Sequence, residues 1–197
     1  MNYRIFRGLF RIIFRIFYRM EVLGRENVPE TGGVILCANH RSNWDPPIVG
    51  SQIERFCRFM AKEELFKFRP FGKFLYTLGA FPVKRGAVSK QSIVDTLRLI
   101  KQGEIITIFP EGPRNGGTAK RGVATFALRS RAIVIPVAII GTYKLFSTMR
   151  IVYGKPLDLS QFEGDTSEDG QRAADYILAQ IHRLMDDFSL NNSKDVA

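Results

Sequence analysis

The sequence predicts a single α/β domain with a mixed, largely parallel β-sheet flanked by helices, preceded by an N-terminal amphipathic helix suited to a membrane interface. Three observations carry that prediction. Apolar runs of strand length at 33–38, 104–109 and 133–140 are each bounded by turn-forming residues. Segments with helical spacing alternate with these runs, the pattern of a parallel sheet buried on both faces. The first twenty residues hold five arginines (Arg4, Arg7, Arg11, Arg15, Arg19) and no acid, so half of the net charge of +10 sits in a tenth of the chain.

The elements follow in order. At about 100° per residue, the five arginines fall within one arc of about 120°, and Ile5, Phe6, Leu9, Phe10, Ile12, Ile13, Phe14, Ile16, Phe17 and Met20 fill the rest. No uninterrupted apolar run approaches the length that spans a bilayer. Arginines break what would be the apolar region of a signal peptide, and no small-residue cleavage site follows. The expectation is a helix lying in the interface with its arginines toward lipid phosphates; a surface helix packed on the core is the plainer alternative. The predicted organisation is a membrane-anchoring helix over 1–23, the α/β domain over 24–190 and a flexible tail over 191–197. A link at 21–33 contains Pro29 and Gly32-Gly33. Then come a strand at 33–38, a short helix at 46–52 with Pro46 at its first position, and a strand at 56–61. Residues 62–78 read as a helix in two pieces broken at Arg69-Pro70, followed by a short strand ending in Lys84-Arg85. A helix at 89–101 starts from a Ser89 cap, with Ile93, Leu97 and Ile100 on one face. A strand at 104–109, a basic glycine-containing loop, a helix at 123–130 and strands at 133–140 and 149–152 complete the sheet. The acidic stretch 158–169 reads as a surface loop and 175–188 as the closing amphipathic helix. There are no internal repeats.

Composition bounds the function. With 45% hydrophobic and 24% charged residues the chain can build a core. Cys37 and Cys57 lie in apolar stretches without metal-ligand spacing, as core thiols of a reducing compartment do. No disulfide and no metal site are expected. The charge asymmetry points to an anionic surface, either membrane or nucleic acid.

The candidate chemistry centres on Ala38-Asn39-His40-Arg41-Ser42-Asn43-Trp44-Asp45-Pro46-Pro47, directly after the apolar run Val34–Ala38. The end of a buried strand is where α/β folds place their sites. Histidine moves protons near neutral pH, and a carboxylate can fix its tautomer and stabilise its charged form. Positions five apart point about 140° away from each other on an ideal helix, so His40 and Asp45 meet only if the chain turns between them. Ser42-Asn43 and Asp45-Pro46-Pro47 supply such a turn. Locally, Asp45 is also a good helix cap and His40 an ordinary strand-end histidine. Two further segments end predicted strands with charge. In Phe109-Pro110-Glu111-Gly112-Pro113-Arg114-Asn115, a glutamate and an arginine flank a glycine and can orient a polar substrate, the arginine by paired hydrogen bonds to phosphate. Val83-Lys84-Arg85 presents two more cations. Each of these alone could be a solvated turn.

Taken together, NHRSNWD, GAFPVKR, FPEGPRN and IVIPVAI resemble, in order and spacing, the four motif blocks of the glycerolipid acyltransferase superfamily, closest to bacterial lysophosphatidic acid acyltransferases. The resemblance runs from about Gly24 to Lys155. It implies transfer of a fatty acyl group from a thioester, on acyl carrier protein or coenzyme A, to the sn-2 hydroxyl of lysophosphatidic acid. No cofactor is implied beyond that acyl donor. By the same resemblance His40 is the general base and Asp45 its partner, Arg85 and Arg114 with Lys84 bind the phosphate, and Glu111, Gly112 and Asn115 shape the acceptor site. No covalent acyl-enzyme is needed, in keeping with the absence of a Gly-x-Ser-x-Gly elbow. The third block departs from the family's usual Glu-Gly-Thr-Arg-Ser: Pro113 replaces threonine and lacks a backbone donor, and Asn115 replaces serine. That departure suggests a shifted acceptor preference. The implied setting is the cytoplasmic face of the cell membrane, with lysophosphatidic acid and an anionic bilayer surface as lipid partners.

Other classes fit less well. A nucleic-acid module should interleave aromatic platforms with its bases, whereas the aromatics of the first helix lie opposite its arginines. Gly112 and Gly117 have P-loop spacing, but Thr118 stands where lysine is required. A metal hydrolase needs more ligands than His40 and Asp45, and His182 falls on a helix without a partner pattern. A membrane-surface lipid-binding module without turnover is the remaining rival.

Overall fold

The structure, a computed structural model, describes residues 3–83, 90–111, 121–162 and 166–189. Its helices are α1 (Tyr3–Phe17), α2 (Asp45–Gln52), α3 (Arg69–Thr77), α4 (Lys90–Lys101), α5 (Arg121–Ser130) and α6 (Ser167–Asp187). Its strands are β1 (Arg19–Leu23), β2 (Val34–Ala38), β3 (Cys57–Lys62), β4 (Ala80–Val83), β5 (Ile105–Ile108), β6 (Ile133–Gly141) and β7 (Thr148–Tyr153). The strands form one sheet in the order β1-β7-β6-β2-β5-β3-β4. Every neighbouring pair is parallel except β6–β7. The expected mixed, largely parallel sheet is therefore the architecture found.

The central strands explain why their sequences are apolar without alternation. All five residues of β2 are buried, because helices cover both faces. On one face Val34, Leu36 and Ala38 pack with Ile48 and Val49 of α2, Phe14 of α1, and Ile135, Val137 and Ile139 of β6. On the other, Ile35 and Cys37 meet Ile100 of α4, Phe126 of α5, and Ala173, Ala174 and Ile177 of α6. Cys37 and Cys57 are buried core residues.

Three elements differ from the sequence reading. The first helix stops at Phe17, and Arg19–Leu23 forms β1, the edge strand paired with β7 in the register Arg19↔Thr148 to Leu23↔Val152. Residues 19–23, expected as the end of the anchoring helix and the start of a link, thus belong to the sheet. Their exposure alternates as in a half-covered strand; Arg19 and Met20 still fit the helical wheel, whereas Val22 falls on its arginine side. The last helix begins at Ser167, eight residues before the expected start. Thr166 caps it by accepting the Asp169 N–H at 3.0 Å, the side-chain geometry of a helix N-cap, hidden in a stretch read as an acidic loop.

The third difference concerns the arginines of α1. Arg7 and Arg11 do not point outward. Arg11 donates to the Ser51 carbonyl and, at 3.2 Å, to the Ile53 carbonyl, while Arg7 donates to the Glu54 carbonyl. Both also pair with the Glu54 carboxylate, Arg11 at 2.8 Å, and the Arg11 hydrogen bond holds that carboxyl below the usual carboxylate range. The carbonyls at a helix C-terminus lack intrahelical partners and carry partial negative charge, so the end of α2 attracts cations. With Phe14 buried beside them, α1 is fastened to α2 by part of its arginine face. What it turns to solvent is an aliphatic stripe of Ile5, Leu9, Ile12 and Ile16. The expected helix at 62–78 is broken as anticipated, into a short 3-10 turn at Glu63–Phe66 and α3. The Ser89 cap and the 191–197 tail lie outside the described residues.

Candidate active site

The site begins where β2 ends. Asn39 is buried and replaces the next rung of the ladder: its amide nitrogen donates to the Ile139 carbonyl at 3.0 Å and its oxygen accepts the Ile139 N–H at 2.7 Å. This pins the chain to β6 and fixes where His40 leaves the sheet. Arg41 adds a second tie, donating to the Gly141 carbonyl at 2.8 Å. The chain then turns at Asn43-Trp44, and α2 begins at Asp45 followed by Pro46-Pro47.

Asp45 has no solvent-exposed surface. Its Oδ2 accepts three donors: the His40 Nδ1–H at 2.7 Å and the backbone N–H groups of Arg41 at 2.6 Å and Ser42 at 2.7 Å. Its Oδ1 accepts the Tyr143 hydroxyl. A carboxylate accepts on both oxygens and donates from neither, so four donors converge on one acceptor group. With Nδ1 donating, the free lone pair of the imidazole is on Nε2, the arrangement a proton acceptor needs. The His40 ring lies against Phe109, with centroids 4.4 Å apart and planes 32° apart. The imidazole is thus held by a buried charge at one edge and an aromatic face on its side, with 18% of its side chain exposed.

Phe109 follows β5, so the ring contact joins the ends of two parallel neighbours. β3 and β4 run in the same direction, and β4 ends at Val83, one residue before the Lys84-Arg85 pair. Lys84, Arg85, Gly112, Arg114 and Asn115 lie outside the described residues. Glu111 is described, and it is engaged: its Oε1 accepts the His182 Nε2–H from α6 at 2.6 Å. His182, which the sequence left without a partner, therefore has one. Asn39, Phe109, Tyr143 and His182 are the site neighbours the motif reading did not single out. Asn39 and Phe109 sit inside the quoted motifs, whereas Tyr143 and His182 lie 98 and 71 residues from their partners, a separation no local pattern bridges. Among the described residues no cluster of three or more His, Cys, Asp or Glu could hold a metal ion.

A buried carboxylate that orients a histidine at the carboxyl edge of a parallel sheet is an arrangement able to accept a proton on Nε2. The family model for acyltransferases matches residues 19–140, from the start of β1 almost to the end of β6. The chain belongs to this acyltransferase family. It is 32% identical over 168 residues to the 1-acyl-sn-glycerol-3-phosphate acyltransferase of Bacillus subtilis (strain 168), covering 81% of this chain and 84% of that one. It is 30% identical over 194 residues to the enzyme of the same name from Streptococcus pneumoniae (strain ATCC BAA-255 / R6), covering 93% and 73%. Its fold is similar to the crystal structure of the 1-acyl-sn-glycerophosphate (LPA) acyltransferase PlsC from Thermotoga maritima, with a TM-score of 0.76 at 21% identity, over 94% of this chain and 78% of that one.

Proposed function

We propose that this protein transfers a fatty acyl group from a thioester, carried on acyl carrier protein or coenzyme A, to the sn-2 hydroxyl of lysophosphatidic acid, giving phosphatidic acid. The observation that carries the reading is the His40–Asp45 pair: an imidazole whose Nδ1 is committed to a buried carboxylate at 2.7 Å, in a chain whose relatives are named for this reaction. Nε2 takes the acceptor's hydroxyl proton as that oxygen attacks the thioester carbonyl. The C–O bond forms and the carbonyl electrons move to oxygen; on collapse the C–S bond breaks and the thiolate leaves with the proton now on the imidazolium. Asp45 stabilises the imidazolium between the two proton transfers. Neither a covalent acyl-enzyme nor a cofactor is required.

Lys84, Arg85 and Arg114 are the cations we assign to the acceptor's phosphate, and Glu111, Gly112 and Asn115 to its glycerol. Pro113, in place of the family's threonine, is the residue we expect to shift preference among related lysophospholipids. The acceptor is drawn from a bilayer. None of the described helices is long and apolar enough to cross one. The exposed stripe Ile5, Leu9, Ile12 and Ile16, with the arginines that stay outward, favours α1 lying in a membrane interface, which we assign to the cytoplasmic face of the cell membrane.

The test is acyl transfer to lysophosphatidic acid on anionic vesicles, for the parent and His40→Ala. We expect the variant to lose activity about 10³-fold with vesicle binding unchanged. No transfer by the parent with either donor and several lysolipids would leave a lipid-binding module instead. Ile12→Glu with Ile16→Glu should release the protein from vesicles in a flotation assay without lowering its melting temperature. Retained flotation would exclude the stripe as the contact.

A further inference from the structure

We propose that Tyr143 is a positioning residue for the transfer reaction, holding the Asp45 carboxylate so that the His40 imidazole keeps its working orientation. The proposal rests on the general-base reading of His40. The loop between β6 and β7 brings the Tyr143 phenol to Oδ1 of Asp45, the oxygen that His40 and the backbone donors leave unused. Those three donors all pull on Oδ2, and a carboxylate held at one oxygen can still rotate about that contact. The phenol fixes the second oxygen and with it the carboxylate plane. Burial, and then the negative charge of Asp45, push the Tyr143 phenol well above the ordinary tyrosine range, so the hydroxyl keeps the proton it donates.

The phenol is itself held. The Tyr18 ring, at the junction of α1 and β1, packs edge-on against the Tyr143 ring, with centroids 6.1 Å apart and planes at 88°. Phe14, one turn earlier on α1, meets Trp44 of the catalytic turn edge-on at 6.3 Å. The helix assigned to the membrane interface therefore touches the turn that carries the dyad at Trp44, and the residue that follows it touches Tyr143. Among the described contacts the Tyr143 hydroxyl meets Asp45 and not His40, so its effect on the imidazole passes through Asp45.

The phenol donor draws charge from the carboxylate. Removing it leaves Asp45 a stronger partner for the imidazolium, and the base must then be freed of its proton at higher pH. Tyr143→Phe should lower kcat about tenfold, the loss expected for one hydrogen bond to a charged group. KM for lysophosphatidic acid should stay unchanged, and the acid limb of the kcat–pH profile should move to higher pH. Replacing Tyr143 by 3-fluorotyrosine keeps the shape and makes a stronger donor, so the same limb should move to lower pH. That second substitution serves even if the phenylalanine variant folds poorly. Shifts of opposite sign support the proposal. A limb unmoved by fluorotyrosine, or a Tyr143→Phe variant with parental kcat, would overturn it while His40→Ala is inactive. Full activity of His40→Ala would instead remove the general-base reading, and this proposal with it.

Discussion

The molecule contains two histidine–carboxylate pairs with almost the same separation and very different surroundings. His40 and Asp45 are 2.7 Å apart, His182 and Glu111 2.6 Å. Asp45 is fully buried and takes four donors, and the His40 ring lies on Phe109; half of the His182 side chain is in solvent. Distance alone would rank the pairs equal. What separates them is how many other contacts fix each partner, and how much water competes for it. A pair becomes a device for moving protons when its carboxylate cannot rearrange and its imidazole still presents one free nitrogen.

The same change at each carboxylate is the sharpest way to break this comparison. Asp45→Asn removes the charge that faces His40 and halves the acceptors. On the Oδ1 side the Tyr143 hydroxyl can turn to accept the new N–H₂, but on the Oδ2 side that group would face the Arg41 and Ser42 N–H donors. We expect kcat to fall about 10³-fold and stability to drop by about 3 kcal/mol in urea unfolding. Glu111→Gln keeps an acceptor for His182, so unfolding should be unaffected; the effect should fall on KM for the acceptor, a few-fold upward if Glu111 shapes the glycerol site. Equal losses from the two substitutions would erase the distinction. Phe109→Leu asks whether the ring beneath His40 contributes orientation or only covers it. We expect kcat to decline about threefold with KM steady, since packing supports a geometry the carboxylate already sets. Smallest of all, His182→Gln should change stability by less than about 1 kcal/mol, measured by thermal melting at low and at high salt.

The same contrast shows what the sequence made legible. His40 and Asp45 are five residues apart, with turn residues between and an apolar run before, so local chemistry suggested that they could meet, and the four motif blocks together gave them their roles. β2, β5 and β6 were visible because strands covered on both faces must be apolar throughout. β1 was not: it is half exposed, its covered face holds only Met20 and Val22, and Arg19 and Met20 fit the wheel of the helix before it. Arg7 and Arg11 read as lipid-facing because nothing in their neighbourhood reveals the carbonyls at the end of α2, some forty residues away. Tyr143 and His182 meet their carboxylates only after the sheet has ordered its strands. Local spacing finds local pairs, and partners supplied by topology need the fold.

The position of β1 at the sheet's edge also sets an order of events in time. Glu21 of β1 pairs with Arg150 of β7, 129 residues further along, and the Arg19↔Thr148 register cannot form before β7 has been made. Contacts across such separations close late, and chains are made from their N-terminal side. During synthesis, α1 therefore leaves the ribosome long before its own strand has a neighbour. Its Tyr18 reaches Tyr143 at about the same late stage. The turn that carries His40 and Asp45 therefore gains its last support only when the nearly completed chain closes back onto it.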